Sequence, residues 1–304
     1  MQPFNIHILG CGSALPTRKH QPSCQVVELR GKLIMIDCGE GAQLSWRHTR
    51  LNWQNLTHIL LSHAHGDHVF GLPGLISTMG LLGRQAPLFI HGPSSLEPFI
   101  ACVLNEFCCD LGYEVHFDAV DSTSHRLLFE DRSMEVWTLP LRHRVPCCGF
   151  LIREKAGLPH IRREMIDFYE IPTWAINNIK AGQDWTLPDG TTVPHTRLTT
   201  PADPVRTYAY CSDTKPFAEL AAWIENADLL YHEATYAMSE ATLADKYWHS
   251  TAAQAAQIAL KAQVKKLMLG HFSSRYDNEE ILLTEARPVF PNTILAQEGL
   301  NISL

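Results

Sequence analysis

The sequence predicts an α/β fold in which two sheets pack face to face and helices cover the outside. Short apolar runs of strand length, separated by turns, occur at 26–29, 33–36, 59–61, 88–90, 134–137 and 150–152. Stretches with helical spacing, at 96–107, 217–226, 252–262 and 279–286, alternate with strands in the later half. With 45% apolar residues, a chain of 304 residues can bury a large core. We therefore expect one domain spanning residues 1–304.

The regular rhythm of strands and helices breaks between residues 153 and 197. This segment contains scattered Pro, Gly, Trp and basic residues instead of a regular apolar period. We interpret 153–197 as an inserted arm. The alternative is a pair of long loops.

Composition narrows the class of protein and its compartment. A formal charge of −7 argues against a generally basic surface for nucleic acid, although it leaves room for a local basic patch. No apolar stretch approaches the roughly 20 residues that a membrane helix needs, so we expect no membrane partner. Nine cysteines without a CxxC pair indicate free thiols in a reducing compartment. We expect a soluble cytoplasmic protein in which the pairs Cys108-Cys109 and Cys147-Cys148 are small buried hydrophobes.

The strongest chemical signal is the hexapeptide His63-Ala64-His65-Gly66-Asp67-His68. His63 and His65 alternate onto one side of the chain after a predicted strand. Gly66 permits a tight turn that brings Asp67 and His68 back to the opening of the same site. Imidazole and carboxylate are the ligands that zinc uses in hydrolytic sites with open positions for water. The hexapeptide therefore predicts a metal-dependent hydrolase.

Six residues cannot complete two metal shells, so further ligands must come from other strand ends. His143, Asp213 and His271 each follow an apolar strand and are the candidates. Each alone is also compatible with an ordinary loop residue. Asp37, after the strand at 33–36, is either a turn carboxylate or an acceptor that orients a metal-bound histidine, and we favour the second role.

Together these residues resemble the metallo-β-lactamase superfamily and, more narrowly, the ribonuclease Z family, over nearly the whole chain. The motifs are Leu33-Ile34-Met35-Ile36-Asp37-Cys38-Gly39-Glu40-Gly41, the hexapeptide, His143-Arg144-Val145-Pro146, Ser212-Asp213-Thr214, His232-Glu233-Ala234-Thr235, His249-Ser250-Thr251 and His271-Phe272-Ser273-Ser274-Arg275-Tyr276. The hexapeptide identifies only the superfamily, and the last three motifs point to the narrower family.

The resemblance implies a four-layer αββα sandwich with an inserted arm, two Zn²⁺ ions per chain and usually a homodimer. It also implies that His63, His65 and His143 bind one ion, that Asp67, His68 and His271 bind the other, and that Asp213 bridges them. Mn²⁺ or Fe²⁺ can share such ligands. The implied activity is endoribonuclease cleavage that removes the 3′ trailer from precursor tRNA. The rival hypothesis is a small-molecule phosphodiesterase or other hydrolase on the same dinuclear fold.

Three residues are candidates for proton transfer. Asp67 is the candidate acceptor of the proton from the attacking water, and its alternative role is that of a ligand only. His249, before the capping-box pair Thr251 and Gln254, is the candidate donor to the leaving oxygen. A helix start disfavours imidazolium, so His249 needs a carboxylate partner, for which we name Glu233. Glu233 and His232 could instead satisfy backbone groups near a strand end.

Basic side chains outside the metal motifs are candidates for contacts with RNA phosphates, which would give salt-dependent affinity with little sequence preference. They are Arg18, Lys19, Arg153, Lys155, Arg162, Arg163, Lys180 and Arg275. The segment 171–182 lacks the Gly-Pro-rich exosite that is common in the ribonuclease Z arm, and the loop 16–23 only partly matches the family's Lys and Arg loop.

Overall fold

The computed structural model describes residues 2–304. Its strands are β1 (Phe4–Gly10), β2 (Cys24–Leu29), β3 (Lys32–Ile36), β4 (Leu56–Leu60), β5 (Leu88–Gly92), β6 (Val115–Ala119), β7 (Leu127–Glu130), β8 (Met134–Pro140), β9 (Cys148–Glu154), β10 (His160–Ile161), β11 (Trp185–Thr186), β12 (Thr192–Val193), β13 (Thr199–Thr200), β14 (Thr207–Cys211), β15 (Leu229–Glu233), β16 (Leu267–Gly270), β17 (Thr293–Leu295) and β18 (Asn301–Ser303).

The α-helices are α1 (Ala42–Arg47), α2 (Gly66–Val69), α3 (Leu72–Leu81), α4 (Glu97–Cys102), α5 (Arg163–Phe168), α6 (Thr173–Lys180), α7 (His195–Leu198), α8 (Ala218–Trp223), α9 (Ala241–Tyr247), α10 (Ala252–Lys261) and α11 (Glu280–Ala286). The predicted helix at 96–107 is α4 continued by one π-helical turn at Val103–Phe107. Every predicted strand and helix is present, with ends that differ by a few residues.

Two seven-stranded sheets form the main unit, which comprises residues 2–153 and 206–304. Their strand orders are β18-β1-β2-β3-β4-β5-β6 and β17-β16-β15-β14-β9-β8-β7. The chain enters the second sheet at β7 and returns at its end to place β18 beside β1. The first sheet therefore contains both ends of the described chain.

Alternation along the strands generates the layers. In β3, Ile34 and Ile36 belong to a core that the two sheets share, whereas Leu33 and Met35 belong to a second core with α1, α3 and α4. Successive side chains of a strand point to opposite faces, so a strand that is apolar on both faces must be covered on both. Residues of α8, α10 and α11 cover the second sheet. The result is the expected four-layer αββα sandwich.

Residues 154–205 form a separate compact unit. It contains α5, α6 and α7 and two small sheets, in which β10 pairs with β13 and β11 with β12. Its own core is built from Ile171, Ala175, Ile179, Val193 and Leu198. Of the segment predicted as an arm at 153–197, all but Arg153 thus lies in a small folded unit that starts at Glu154 and continues to Val205.

Within residues 2–304, no helix combines the length and the apolar character that crossing a bilayer requires. All nine cysteines are free thiols. Cys108, Cys147 and Cys148 are buried as expected, but the expectation for Cys109 was wrong, because it lies exposed where the π-helical turn has ended.

Candidate metal centre

The candidate ligands meet where parallel strands end. In the first sheet β3 runs parallel to β4, and in the second β14, β15 and β16 run parallel to one another. Asp37 follows β3, His63 lies three residues after β4, Asp213 lies two residues after β14, and His271 follows β16. Because the carboxyl ends of parallel strands share one edge of a sheet, residues distant in sequence converge there.

Three of these residues have left-handed backbone conformations. The φ angles of Asp37, Asp213 and His271 are 57°, 60° and 58°. Asp and His enter this region more readily than most side chains, but at a cost of about 1–3 kcal/mol each. The strands therefore end abruptly at residues that turn their side chains out of the ladder.

The hexapeptide begins after β4 and runs into the short helix α2. Gly66 is the first residue of α2, whose single helical turn is the tight turn expected at this point, and its φ is not positive. A Cβ at Gly66 would lie 2.3 Å from the ring of Phe70, so the glycine is needed for the close approach of that ring. The helical turn brings Asp67 and His68 back toward His63.

Ligand atoms of the seven predicted residues gather into two groups. His63, His65, His143 and Asp213 offer atoms within 4.8 Å of one another, and so do Asp67, His68 and His271. Asp213 Oδ1 lies 3.9 Å from His63 Nε2 and 4.0 Å from His143 Nε2, whereas Asp213 Oδ2 lies 3.3 Å from both His68 Nε2 and His271 Nε2. The two oxygens of Asp213 thus face different groups.

The donor atoms have the surroundings that a metal requires. The Nε2 atoms of His68, His143 and His271 are buried without a hydrogen-bond partner. An orphaned buried nitrogen is costly unless something binds it, and here all three face Asp213. Burial lowers the pKa of His63 well below its usual range, which keeps this ring in its metal-binding form.

The carboxylates of Asp37, Asp67 and Asp213 create a negative electrostatic potential around the ligand groups, which favours a bound cation. Burial opposes a charge on His68, but Asp37, Asp213 and Asp67 raise its pKa well above the usual range. The donor set and this field fit a divalent metal.

A second layer of contacts orients the donors. Asp37 is fully buried, lies 2.8 Å from His68 Nδ1, and accepts hydrogen bonds from the Ser62 amide (2.8 Å), the Ser62 hydroxyl (3.0 Å) and the Tyr210 hydroxyl (2.7 Å). The structure thus places Asp37 in the expected orienting position rather than in a plain turn. Thr235 Oγ1 lies 2.9 Å from His271 Nδ1 in a similar arrangement.

His249 and Glu233 are in direct contact beside the metal groups. His249 Nδ1 lies 2.9 Å from Glu233 Oε1 and 4.0 Å from Asp213 Oδ1. Burial lowers the pKa of His249, but the charge and the hydrogen bond of Glu233 outweigh it and raise that pKa to about 9. Thr251 and Gln254 form the expected capping box at the start of α10.

Glu233 also has the backbone role that we considered as its alternative. Its fully buried carboxylate accepts hydrogen bonds from the amides of Thr214 (2.6 Å) and Ser250 (3.2 Å). Neighbouring His232 is buried, with Nδ1 2.8 Å from the Glu233 carbonyl oxygen. Glu233 therefore holds the segment His249-Ser250-Thr251 in place through its hydrogen bonds and also pairs with the His249 side chain.

A cleft of about 530 Å³ opens over these groups. Asp67, Asp213, His249 and His271 form part of its lining, together with residues of the loop 13–16. The cleft also contains Arg144 and Phe70, which the sequence analysis did not propose as site residues. The side chain of Phe70 is 65% exposed. An aromatic residue two positions after the hexapeptide, and an arginine next to His143, were the available signals.

The predicted RNA-contacting residues lie in several places. Lys19 forms an ion pair with Glu279 and Arg275 one with Glu240, while the Arg275 guanidinium lies 4.7 Å above the Tyr236 ring. Arg18 lines a groove with Ser273 and Ser274. Arg153, near the end of β9, belongs to the main unit, whereas Lys155, Arg162, Arg163 and Lys180 belong to the unit at 154–205.

Comparisons with known proteins agree in family. The chain is 56% identical to ribonuclease Z of Bacteroides fragilis and 48% identical to that of Porphyromonas gingivalis strain W83, with full coverage of both chains in each case. Human tRNase Z, short form, superimposes with a TM-score of 0.70 at 26% identity, over 98% of each chain. The metallo-β-lactamase fold protein YhfI from Bacillus subtilis, at 19% identity and a TM-score of 0.70 with full coverage of both chains, shows the fold alone.

A family model described as anti-Pycsar protein Apyc1 matches residues 4–154, just under half of the chain. The match ends where the unit at 154–205 begins. The full-length relatives decide the assignment, because they match this chain over its whole length, including both units. This chain belongs to the ribonuclease Z family and has the metallo-β-lactamase fold.

Proposed function

We propose that this protein is a zinc-dependent endoribonuclease that removes the 3′ trailer from precursor tRNA, leaving a 3′-hydroxyl on the tRNA and a 5′-phosphate on the trailer. The observation that carries the proposal is the meeting of two ligand groups at Asp213 with a paired acid, His249 and Glu233, beside them. Lactam and thioester hydrolysis release an amine and a thiolate, so these enzymes need no separate acid to protonate a departing alkoxide. The names of the full-length relatives support the same activity.

Seven residues would hold two Zn²⁺ ions. His63, His65 and His143 would hold one, Asp67, His68 and His271 the other, and the two oxygens of Asp213 would contact both. Bound divalent ions supply a nucleophilic water near neutral pH and neutralise charge on the phosphoryl group. Asp37, Ser62 and Tyr210 hold the ring of His68 in place for this role.

The chain's own residues would move the protons. Asp67 lies within reach of both His68 and His271, at 3.5 and 3.8 Å, and would take the proton of the attacking water. The backbone amide of Ala14 donates a 2.8 Å hydrogen bond to Asp67 Oδ2 and fixes its orientation. On the other side His249, kept protonated by Glu233, would give its proton to the departing 3′ oxygen.

Contacts with RNA would come from both units. Arg18, Lys19 and Arg275 would meet the acceptor end, and Lys19 and Arg275 would exchange their present carboxylate partners for phosphates. Arg162 and Arg163 at the start of α5, and Lys180 at the end of α6, would serve the body of the tRNA together with Arg153 and Lys155. The proposal includes a cytoplasmic homodimer, for which the support is the family resemblance and, for the compartment, the nine free thiols.

The decisive experiment uses metal-free protein and a precursor tRNA with a defined 3′ trailer. Zinc or manganese is added back separately, and both product ends are mapped. We expect cleavage at the junction between the 3′ strand of the acceptor stem and the trailer, with a 3′-hydroxyl on the tRNA. Hydrolysis of bis(p-nitrophenyl) phosphate without any cleavage of the precursor would favour the small-molecule phosphodiesterase, and no hydrolysis of either substrate with any metal would refute both.

A further inference from the structure

Three side chains with metal-binding chemistry meet away from the catalytic cleft, where β1 ends. Cys11 follows β1, His20 lies in the loop before β2, and Glu298 precedes β18. His20 Nδ1 lies 3.3 Å from Cys11 Sγ and 2.9 Å from Glu298 Oε2, and Cys11 Sγ lies 3.5 Å from Glu298 Oε1. These donors come from different parts of the chain, so their convergence is a product of the fold.

The second ring nitrogen of His20 is already engaged. His20 Nε2 lies 3.1 Å from Glu279 Oε1, and Lys19 forms an ion pair with the same carboxylate. A histidine that binds a metal through one nitrogen usually gives the hydrogen on the other to a carboxylate. Glu279 thus holds the ring in the orientation that aims Nδ1 at Cys11 and Glu298.

The charges in the cluster balance with or without a metal. Without one, a protonated His20 neutralises Glu298 and the Cys11 thiol is uncharged. With one divalent ion, the Cys11 thiolate and Glu298 neutralise it, and His20 is neutral. Binding therefore releases one proton from sulfur and one from the imidazole, and the net charge of this buried place does not change.

Burial and spacing suit a small ion. Cys11 is 0% and His20 7% exposed, whereas the Glu298 side chain, at 23%, leaves a path for an ion and a water ligand. A tetrahedral zinc ion at usual bond lengths sets its N, O and S donors about 3.3 to 3.6 Å apart. Cys11 Sγ and His20 Nδ1, at 3.3 Å, are close to this spacing. The two Glu298 oxygens face different donors, with Oε2 2.9 Å from His20 Nδ1 and Oε1 3.5 Å from Cys11 Sγ. One donor atom from each of the three side chains lies within 4.8 Å of the other two, so small side-chain adjustments would bring the set to the spacing of a zinc site.

We propose that Cys11, His20 and Glu298 form a third metal site, mononuclear and selective for a borderline-soft divalent ion such as Zn²⁺ or Co²⁺, with water as the fourth ligand. One thiolate, one imidazole and one carboxylate constitute a mixed donor set that harder ions such as Mg²⁺ do not select. The site is separate from the cleft and contributes no atom to the reaction.

The site would brace the loop that faces the substrate. Glu298 also accepts hydrogen bonds from the amides of Cys11 (3.3 Å) and Gln21 (2.9 Å). Phe272, next to His271, donates from its amide to the Cys11 carbonyl and accepts from Ser13, both at 2.9 Å. A metal at Cys11 would therefore tie the loop 12–22, which supplies the Ala14 amide to Asp67, to the segment that contains His271.

Cobalt titration of the metal-free full chain tests the site, because the seven residues of the catalytic centre contain no sulfur. Thiolate–cobalt bonds absorb in the near ultraviolet by charge transfer, and imidazole and carboxylate ligands do not. Under reducing conditions we expect three bound equivalents of Co²⁺ and a charge-transfer band that develops with one of them. Cys11→Ser should lose the band and retain two equivalents.

Two further variants keep the test decisive. Cys24→Ser removes a buried thiol from the neighbouring strand β2 and should keep the band, which controls for loss of any core cysteine. Glu298→Gln keeps the size and one acceptor oxygen, and should weaken the third equivalent by at least about tenfold, as measured by competition with a chelator. The absence of a sulfur–cobalt band in the wild-type protein with excess Co²⁺, or its persistence in Cys11→Ser, would overturn the proposal.

Discussion

The pairing of Glu233 with His249 leads to a specific prediction for Glu233→Gln. The substitution removes a buried charge 2.9 Å from His249 Nδ1 and keeps the size of the side chain. The glutamine carbonyl can still accept the Thr214 amide. Its NH₂ group would face the Ser250 amide and the Thr235 hydroxyl, which now donate to Glu233 Oε2.

The size of the effect follows from the protonation of His249. Its pKa is raised from 6.5 to about 9, which corresponds to about 3 kcal/mol in favour of the protonated ring. Without the Glu233 carboxylate, burial lowers this pKa and Asp213 is the charge that still raises it, so we take the ordinary value of 6.5 for the variant. At pH 8 the protonated fraction should fall from about nine tenths to about 3%, so a reaction that needs the acid should slow roughly thirtyfold.

The assay is the pH profile of kcat for single-site cleavage of a precursor tRNA, at saturating zinc. A required acid loses its proton as the pH rises, so the wild-type rate should decline only above about pH 9. The Glu233→Gln rate should decline from about pH 6.5 upward. Because nitrophenolate leaves without a proton, the same variant should hydrolyse bis(p-nitrophenyl) phosphate at close to the wild-type rate.

Two results would refute this reasoning. One is an alkaline limb that stays in place in Glu233→Gln, and the other is an equal loss on both substrates. Glu219→Gln is the matched control, since Glu219 is exposed and pairs with Arg142 on the surface. Metal content and thermal unfolding of both variants separate an effect on His249 from an effect on folding.

Four further predictions concern other parts of the chain. His249→Ala should lower precursor cleavage by about 10²–10⁴-fold with metal still bound, and unchanged turnover would remove His249 as the donor. Asp213→Asn removes the charge of the carboxylate that faces both ligand groups. The affinity for metal, measured by competition with a chelator, should therefore fall at least about 100-fold. If the variant still bound two ions tightly, the bridging role of Asp213 would be contradicted. Replacing residues 155–204 with a short Gly-Ser linker should weaken precursor binding, with a smaller salt dependence, and leave bis(p-nitrophenyl) phosphate hydrolysis unchanged; equal losses would argue against RNA binding by this unit. Tyr210→Phe removes a buried hydrogen bond to the Asp37 carboxylate and should lower the free energy of unfolding in urea by about 1–3 kcal/mol, and no loss would show that Asp37 does not depend on it.

The linker prediction depends on where the small unit leaves the main one. Arg153 and Thr207 are opposite each other in the antiparallel pairing of β9 with β14, so a short linker can connect the strands on either side. A deletion of 155–180 alone would leave Val193 and Leu198 without the helix residues against which they pack. The unit should therefore be removed whole.

Local sequence patterns predicted the elements, and they singled out candidate ligands that the fold brings together. Runs such as 33–36 have strand length, and a polar residue directly after such a run marks a strand end, which is how Asp213 and His271 could be found. The need of His249 for a carboxylate led to Glu233, because electrostatics at a helix start does not depend on knowing the topology.

Features that depend on long-range contacts could not be predicted in this way. Nothing local indicates that β18 pairs with β1, or that Arg144 and Phe70 face the cleft. The sequence did not show that Gly66 also leaves room for the ring of Phe70, because this is a packing contact rather than a backbone angle. The unit at 154–205 was seen only as a break in rhythm, since its strands of two residues are too short for a period.

The left-handed conformations of Asp37, Asp213 and His271 also bear on how such a protein can change over generations. Where the backbone of a residue is strained so that its side chain can serve the site, selection for folding stability does not maintain that residue. Asparagine accepts the same backbone angle, and glycine would relieve the strain. Asp37 is an exception, because its buried carboxylate accepts hydrogen bonds from Ser62 and Tyr210 that stabilise the fold. At Asp213 and His271, however, descendants of this chain could lose the chemistry and keep, or even gain, stability. We therefore expect some relatives to have lost catalytic activity and to retain the intact sandwich fold.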